Sequence, residues 1–262
     1  MISIIVSTRK SDTQLARFSE NIAHTIGVEH ELVVIENDRK YSLCQAYNLG
    51  VSRARYAFCC FVHDDVSFET ENWGKLLVET MLHQPDLGLT GVAGTQFKSS
   101  YPSAWGQSPA LGRFKKGHIF HQINGKRTYL EFDTNPENSD FDDVVCLDGV
   151  FLFTRKNIVE KCRFDEELLT DFHGYDIDFS LQVYFAGFRA IVDRRLRIVH
   201  SSGGSYSPQN TIANRLIARK WKKQLPVAAQ VCSLAPWQMR LLDCENWCYF
   251  LWQAAVRKLS GR

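Results

Sequence analysis

In the N-terminal part of the chain, short apolar runs alternate with stretches whose apolar residues recur every three or four positions. Residues 2–6 (ISIIV) are apolar and mostly β-branched, the pattern of a strand buried on both faces. Residues 12–26 set Leu15, Phe18, Ile22 and Ile26 on one helical face, and Gly27 is the stop. Residues 31–35 (ELVVI) read as a second strand ending in Glu36-Asn37-Asp38, and residues 42–54 as a second helix. Residues 58–62 (FCCFV) form a third strand ending in His63-Asp64-Asp65. Residues 73–82 are helical, and residues 87–92 make a fourth strand. This alternation predicts an α/β fold with a doubly wound, mostly parallel sheet. Polar clusters end the first three strands, at the edge where open α/β sheets bind ligands.

Residues 95–145 break the rhythm. They are rich in Gly, Pro, Ser, Asn and aromatics without a sustained period, which predicts a lid or binding loop, or else an ordinary surface excursion. Trp105, Phe114 and Tyr129 are its candidates for stacking on a flat ligand face. Residues 145–154 resume as one strand, 164–169 form a turn, and 173–187 form a helix ending at Gly187. Short strands at 190–192 and 196–199 lead to His200, and Gly203-Gly204 closes this body. A C-terminal helical appendage follows over 205–262. In its first helix, 210–225, Arg215, Arg219, Lys222 and Lys223 share one sector, broadly opposite Ile212, Ala213, Leu216, Ile217 and Trp221. In its second, 236–259, Trp237, Leu241, Cys244, Cys248, Leu251 and Ala255 step by 4, 3, 4, 3, 4 and read as a packing seam.

Charge sharpens that division. The 262 residues carry a net +2, but residues 1–204 hold 22 Lys+Arg against 27 Asp+Glu, and residues 205–262 hold 9 against 2. Four of the six tryptophans also lie in the tail, so a basic, Trp-rich element follows an acidic body. Arg9 and Lys10 follow the first apolar run, the reverse of a secretory signal, and no stretch approaches the ~18–20 apolar residues of a membrane span. Eight scattered cysteines with no CxxC argue for reduced thiols in the cytoplasm rather than structural zinc.

Three clusters carry chemistry. In FVHDDVSF, residues 61–68, two adjacent carboxylates end a strand; they suit a hard divalent cation shared with phosphates, or a solvated acidic turn. In FHGYDIDFSL, residues 172–181, Asp176 and Asp178 open a helix; they complement its dipole, or one serves as a general base. In RIVHSSGG, residues 197–204, His200 is a core histidine or a metal ligand. GxGxxG, GxxxxGK[ST] and GxSxG are all absent, so phosphate handling falls to a metal.

Taken together these residues resemble the family 2 glycosyltransferases of GT-A fold, and among them the subgroup named for streptomycin-biosynthesis enzymes. The resemblance runs over roughly residues 1–204 without 95–145. It rests on the spacing of Asn48, Gly50, Ala54 and His63, on Asp65 at the metal-binding aspartate of D-x-D, and on four later motifs. Those are Asp148-Gly149-Val150-Phe151, Arg163-Phe164-Asp165-Glu166, Gly174-Tyr175-Asp176-Ile177-Asp178 and Ile198-Val199-His200. His63 stands where the first aspartate is usual, Tyr175 where a glutamate is usual, and Tyr56 where a glycine is frequent.

The resemblance implies an inverting transfer of a sugar from a nucleotide diphosphate sugar to an acceptor hydroxyl, on a glycan or lipid-linked glycan. It implies a nucleotide-sugar site at Ser7, Thr8, Glu36, Asn37, Asn48, His63 and Asp64, and a Mn²⁺ or Mg²⁺ held by Asp65 and His200. Asp176 would be the base, with Asp148, Gly149 and Tyr175 bordering the acceptor. The tail fits peripheral contact with an anionic membrane on its inner face, or a cap on the body, or a homodimer seam. A non-catalytic nucleotide- or glycan-binding module of the same fold is the alternative that His63 and Tyr175 favour. A nucleotidyltransferase would need a Gly-rich loop where residues 7–12 read STRKSD, and a nucleic-acid partner is not expected from a basic tail on an acidic body.

Overall fold

Strand β1 (Ile2–Thr8) is buried almost throughout, so it needs a neighbour on each edge and a layer on each face. It pairs in parallel with β2 (His30–Glu36) and β3 (Phe58–Val62). The computed structural model describes residues 1–9, 12–109, 111–123, 125–132, 139–202 and 207–259. The expected boundary at 204/205, with Gly203-Gly204, lies outside them.

Helices α1 (Asp12–Thr25) and α2 (Leu43–Arg53) make the first crossovers, and α3 (Trp73–His83) leads from β4 (Val66–Phe68) to β5 (Leu87–Gly91). Gly27 ends α1 with φ +70, and a Cβ there would meet Asn72 Oδ1 at 2.3 Å, so a side chain fits neither the conformation nor the space. A capping box starts α2: Gln45 N donates to Ser42 Oγ and Ser42 N to Gln45 Oε1. On β3, Cys59 and Phe61 face one core while Phe58, Cys60 and Val62 face the other, as period-two alternation requires.

The chain continues through β6 (Ala93–Thr95), β7 (Phe97–Lys98), β8 (Lys115–Ile123), β9 (Lys126–Glu131), β10 (Phe141–Val144), β11 (Cys146–Leu147) and β12 (Phe151–Arg155). It then forms α4 (Lys156–Lys161), α5 (Tyr175–Phe185), β13 (Arg189–Asp193), β14 (Ile198–His200), α6 (Pro208–Lys220), β15 (Val227–Ala228) and α7 (Pro236–Leu259). The main sheet has the order β10-β13-β5-β12-β3-β1-β2. Its β1, β2, β3, β5 and β13 share one direction; β12 and β10 run against them. A second sheet, β11-β6-β8-β14-β4 with β9 beside β8, lies across the strand ends.

Two expectations from the apolar pattern change here. Residues 95–145 hold the β8–β9 hairpin and parts of three sheets, β7 pairing with β15 in a two-stranded one, instead of one long irregular loop. The pattern hid β9 because all six of its residues are exposed, leaving no apolar alternation to read. Residues 145–154 are two strands rather than one. β11 belongs to the second sheet and β12 to the first, and the chain passes between them at 148–150. That break is what brings Asp148 and Gly149 to the strand ends.

The tail helices differ from each other. In α6, Ala213 and Ile217 are buried against the body while Arg215 and Arg219 are exposed. In α7 the expected seam faces outward: Trp237 is 66%, Leu241 53% and Leu251 59% exposed. The body contacts are made by the opposite, more polar face. Asp243 accepts from Ser99 Oγ, Ser100 N and Ser100 Oγ, Asn246 pairs with Ser108, and Leu242 joins Phe97, Leu111 and Phe114 in a small core. Serines at 99–108 satisfy polar groups that helical periodicity alone assigns to solvent.

Candidate active site

The polar strand ends meet. Thr8 Oγ1 donates to Asp64 Oδ2 at 2.5 Å, tying β1 to the residue pair beyond β3. Asn37 Nδ2 donates to Ser7 Oγ at 3.1 Å and Tyr41 N donates to Asn37 Oδ1, folding the loop after β2 over β1. Ser7, Thr8, Arg9, Asn37, Leu43, Asp64 and Phe172 line a cavity of about 270 Å³. Asp64 and Asp65 also border a recess of about 210 Å³ that Arg17 and Asn21 of α1 enter from the other side. Arg17 was not legible in advance, since α1's spacing marks only its apolar face.

Two expected nucleotide contacts lie elsewhere. Glu36 is exposed at the end of β2 and lines neither of these spaces nor the larger cavity described below. Asn48 is buried in α2, where both amide protons are used: Nδ2 donates to Phe164 O at 2.9 Å and to Glu166 Oε2 at 2.7 Å. Asn48 therefore clamps the 164–166 turn to α2, which explains the motif without a ligand contact.

The β4–β14 ladder assembles a second cluster. His200 is the partner of Val66, and Ser201 N donates to Asp65 O at 2.9 Å, so two segments distant in sequence arrive side by side. The ligand atoms of His63, Asp65 and His200 all lie within 4.8 Å of one another. Asp65 Oδ1 is buried 3.2 Å from His200 Nε2 and makes no hydrogen bond. A buried carboxylate oxygen of that kind, with two imidazoles beside it, fits a divalent cation of the Mn²⁺ or Mg²⁺ type. His63, expected at the nucleotide, has its ring in this cluster as well.

Charge favours ligation. Burial and then the neighbouring His200 lower the pKa of His63, so its ring is neutral and keeps a lone pair. Burial alone would raise that of Asp65, but His200, Ser202 and His63 outweigh it and hold the carboxyl well below its usual range.

A cavity of about 380 Å³ opens beside the cluster, lined by His63 and His200 together with Asp148, Gly149, Tyr175 and Asp176. Trp105, Ile119, Leu130, Phe132 and Phe172 give it an apolar wall, while His121, Asn210 and Asn214 add polar groups. Of the three expected stacking aromatics only Trp105 is here. Phe114 is buried in the small core under α7, and the Tyr129 ring lies against Phe120 with centroids 4.6 Å apart.

Asp176 sits half-buried at this cavity, with Gly149 N donating to its Oδ2 at 3.2 Å. Burial, then the charge of Asp148, raise its pKa to about 7. Asp148 is itself fixed by Val150 N at 2.9 Å and Trp105 Nε1 at 3.0 Å. Asp178, two residues on, is 1% exposed and points away, accepting from Lys220 Nζ, Trp221 Nε1 and Gln182 Nε2.

The two unusual positions of the motif pattern touch. His63 Nε2 is 2.9 Å from the Tyr175 hydroxyl, and that hydroxyl donates to Gly149 O at 2.8 Å. With its one proton committed to Gly149, Tyr175 can only accept from His63, so Nε2 carries the ring hydrogen and Nδ1 the lone pair. The same approach excludes any side chain at 149, where a Cβ would lie 2.1 Å from the Tyr175 oxygen.

Residues 2–215 match a family described as "Glycosyltransferase like family". Among solved structures the chain is similar to GalNAc-T7, crystallised with UDP, GalNAc and Mn²⁺, at 11% identity and TM-score 0.60 over 85% of this chain and 48% of that one. The chain thus spans about half the length of that neighbour. A197 from STIV aligns at 11% identity and TM-score 0.43, over 77% of this chain and 86% of that one. No curated protein matches the chain. The family match and the first likeness identify the fold as GT-A. No helix among the described residues is long and apolar enough to cross a membrane.

Proposed function

The chain belongs to this glycosyltransferase-like family, and on that premise we infer that it moves a hexosyl group, with inversion, from a nucleotide diphosphate sugar to an acceptor hydroxyl on a glycan or lipid-linked glycan. One observation carries the reading: a carboxyl with a pKa near 7 shares a cavity with two members of a His-Asp-His cluster. The four ordered motifs support the streptomycin-biosynthesis-like subgroup.

Ser7, Thr8 and Asn37 receive the nucleotide, with Asp64 beside the diphosphate and Arg17 across the recess from it. His63, Asp65 and His200 would hold Mn²⁺ or Mg²⁺, which would supply Lewis-acid stabilisation of the departing diphosphate. Asp176 takes the proton of the acceptor hydroxyl as that oxygen attacks the anomeric carbon, and burial beside Asp148 keeps it basic enough to do so. Gly149 N orients the base. Trp105 and Phe172 offer flat apolar faces to sugar rings, and Asp148 and Tyr175 border the acceptor. The neighbour's complex with UDP and Mn²⁺ supports the choice of donor and metal. Residues 1–204 then form the transfer domain, and the 205–262 segment brings Asn210 and Asn214 to the acceptor side.

A thermal-shift panel of UDP-, GDP- and dTDP-sugars with and without Mn²⁺ tests this. One donor should raise Tm only when metal is present, since binding to the native state stabilises by mass action. Asp65→Ala should remove the metal-dependent part of that shift. If no donor stabilises the wild type and none is hydrolysed or transferred, the non-catalytic module is the better description.

Tyr175→Phe should weaken Mn²⁺ binding about 10- to 100-fold, the usual effect of releasing a group that orients a ligand. The measurement is a direct metal titration, with Tm as the control. Unchanged affinity would show that His63 keeps its orientation without the hydroxyl.

A further inference from the structure

Helix α7 is amphipathic in the wrong sense for a helix that covers the body of a monomer. Its inward face carries Asp243 and Asn246, the latter 0% exposed, beside Leu242 and Phe250, while Trp237, Leu241, Leu251 and Trp252 stay exposed. The outward residues form a heptad seam: Leu241, Cys248 and Ala255 fall at a, and Trp237, Cys244 and Leu251 at d. The body occupies positions b, c and f and also holds Trp247 at g, whose Nε1 donates to Ser100 Oγ, while the a/d stripe is exposed. A seam with period 3.5 is the signature of a helix meeting a helix, and contiguous exposed apolar surface marks interaction sites.

The flanking positions say which helix. In a parallel pair each g residue faces the e residue five places on in its partner. Arg240 (g) then meets Glu245 (e) of the second copy, opposite charges. Both Arg240 and Glu245 are exposed. An antiparallel pair using the same seam would place Glu245 against Glu245. A lipid surface is less well matched, because α7 carries Arg240, Arg257 and Lys258 against Asp243 and Glu245, while the basic surplus of the tail lies in residues 208–223. The helix is already folded and fixed by the body, so pairing does not have to order it first.

We propose that the outward face of α7 is a self-association surface, joining two copies of this chain as a parallel, two-fold helix pair. The proposal goes beyond the transfer reaction and does not depend on it.

Sedimentation velocity of the full chain should give a species of twice the 30.1 kDa monomer mass. Leu241→Asp with Leu251→Asp should lower the association constant more than tenfold and leave the far-UV circular dichroism of the folded chain unchanged. Cross-linking with copper phenanthroline reads the orientation, since Cys244 and Cys248 are the exposed thiols among the described residues. In the parallel register each sulfur faces its own copy, so Cys244→Ser and Cys248→Ser should each still cross-link and the double variant should not. In the antiparallel register Cys244 faces Cys248, so loss of cross-linking in both single variants would overturn the parallel arrangement. A chain that stays monomeric at about 100 µM overturns the proposal. So does one that stays monomeric in buffer but pellets with anionic vesicles, which would make α7 a membrane contact.

Discussion

Asp176→Asn should lower transfer by about 10²–10⁴-fold at near-normal donor affinity, the range that positioned base catalysis supplies. Asparagine keeps the shape and can still accept from Gly149 N, so the donor site is undisturbed. Steady-state transfer with donor affinity measured separately checks this, and near-wild-type turnover removes Asp176 as the base. The wild-type kcat/KM profile should bend near pH 7 and fall below it, because the carboxyl must be ionised to take a proton and its pKa stands at about 7.

The same group affects stability with a definite sign. The folded carboxyl keeps its proton to about pH 7, against an ordinary value of 3.8. Between those limits the native state binds more protons than the unfolded one, so stability falls as pH rises through the window. Above pH 7 the cost is complete. Asp176→Asn should therefore match wild type near pH 4 and exceed it at pH 8 by about 1–3 kcal/mol, a figure discounted because the group is only half-buried. Thermal melts across that range test it. Equal melts at pH 8 would mean that the cavity solvates the carboxylate.

Asp178→Ala should produce the largest loss of stability, about 2–3 kcal/mol or roughly 5–10 °C in Tm. It leaves a buried site where Lys220 Nζ, Trp221 Nε1 and Gln182 Nε2 now find an acceptor at 2.8–2.9 Å. The loss is moderated because Lys220 keeps Asp165 at 2.8 Å. Since Lys220 ends α6 and α6 carries Asn210 and Asn214 to the cavity, acceptor KM should rise while donor affinity holds. Asp178→Asn should lose less, as it retains one oxygen for Trp221. A Tm within a degree of wild type for Asp178→Ala would show that α6 is held by its apolar face alone.

These two aspartates mark the limit of what was readable in advance. Both open the same helix and both satisfied the same motif. One lines the cavity and the other anchors the tail, because positions i and i+2 of a helix point about 200° apart and the apolar surroundings of each come from different elements. The motif pattern was most informative where chemistry lies next to a strand end, as at Ser7, Thr8, Asp64 and Asp65. It was least informative for residues delivered by distant pairings: Arg17 from α1, His121 beside His200 through β8 and β14, and Asn210 and Asn214 from α6. At Asn48 the family spacing coincides with a clamp on the 164–166 turn, a role the spacing alone does not reveal.

The local periods of the sequence determined the strand and helix order of the first half, its polar strand ends and the existence of both tail helices, since each element's apolar period is set by its own backbone geometry. Only the tertiary structure decided which stripes are covered. The β4–β14 ladder joined Asp65 to His200, the passage between sheets at 148–150 brought Gly149 under Tyr175, and serines at 99–108 turned the polar face of α7 inward. Periodicity records that a face is apolar or polar; what meets that face depends on strand pairings and packing between residues far apart in the chain.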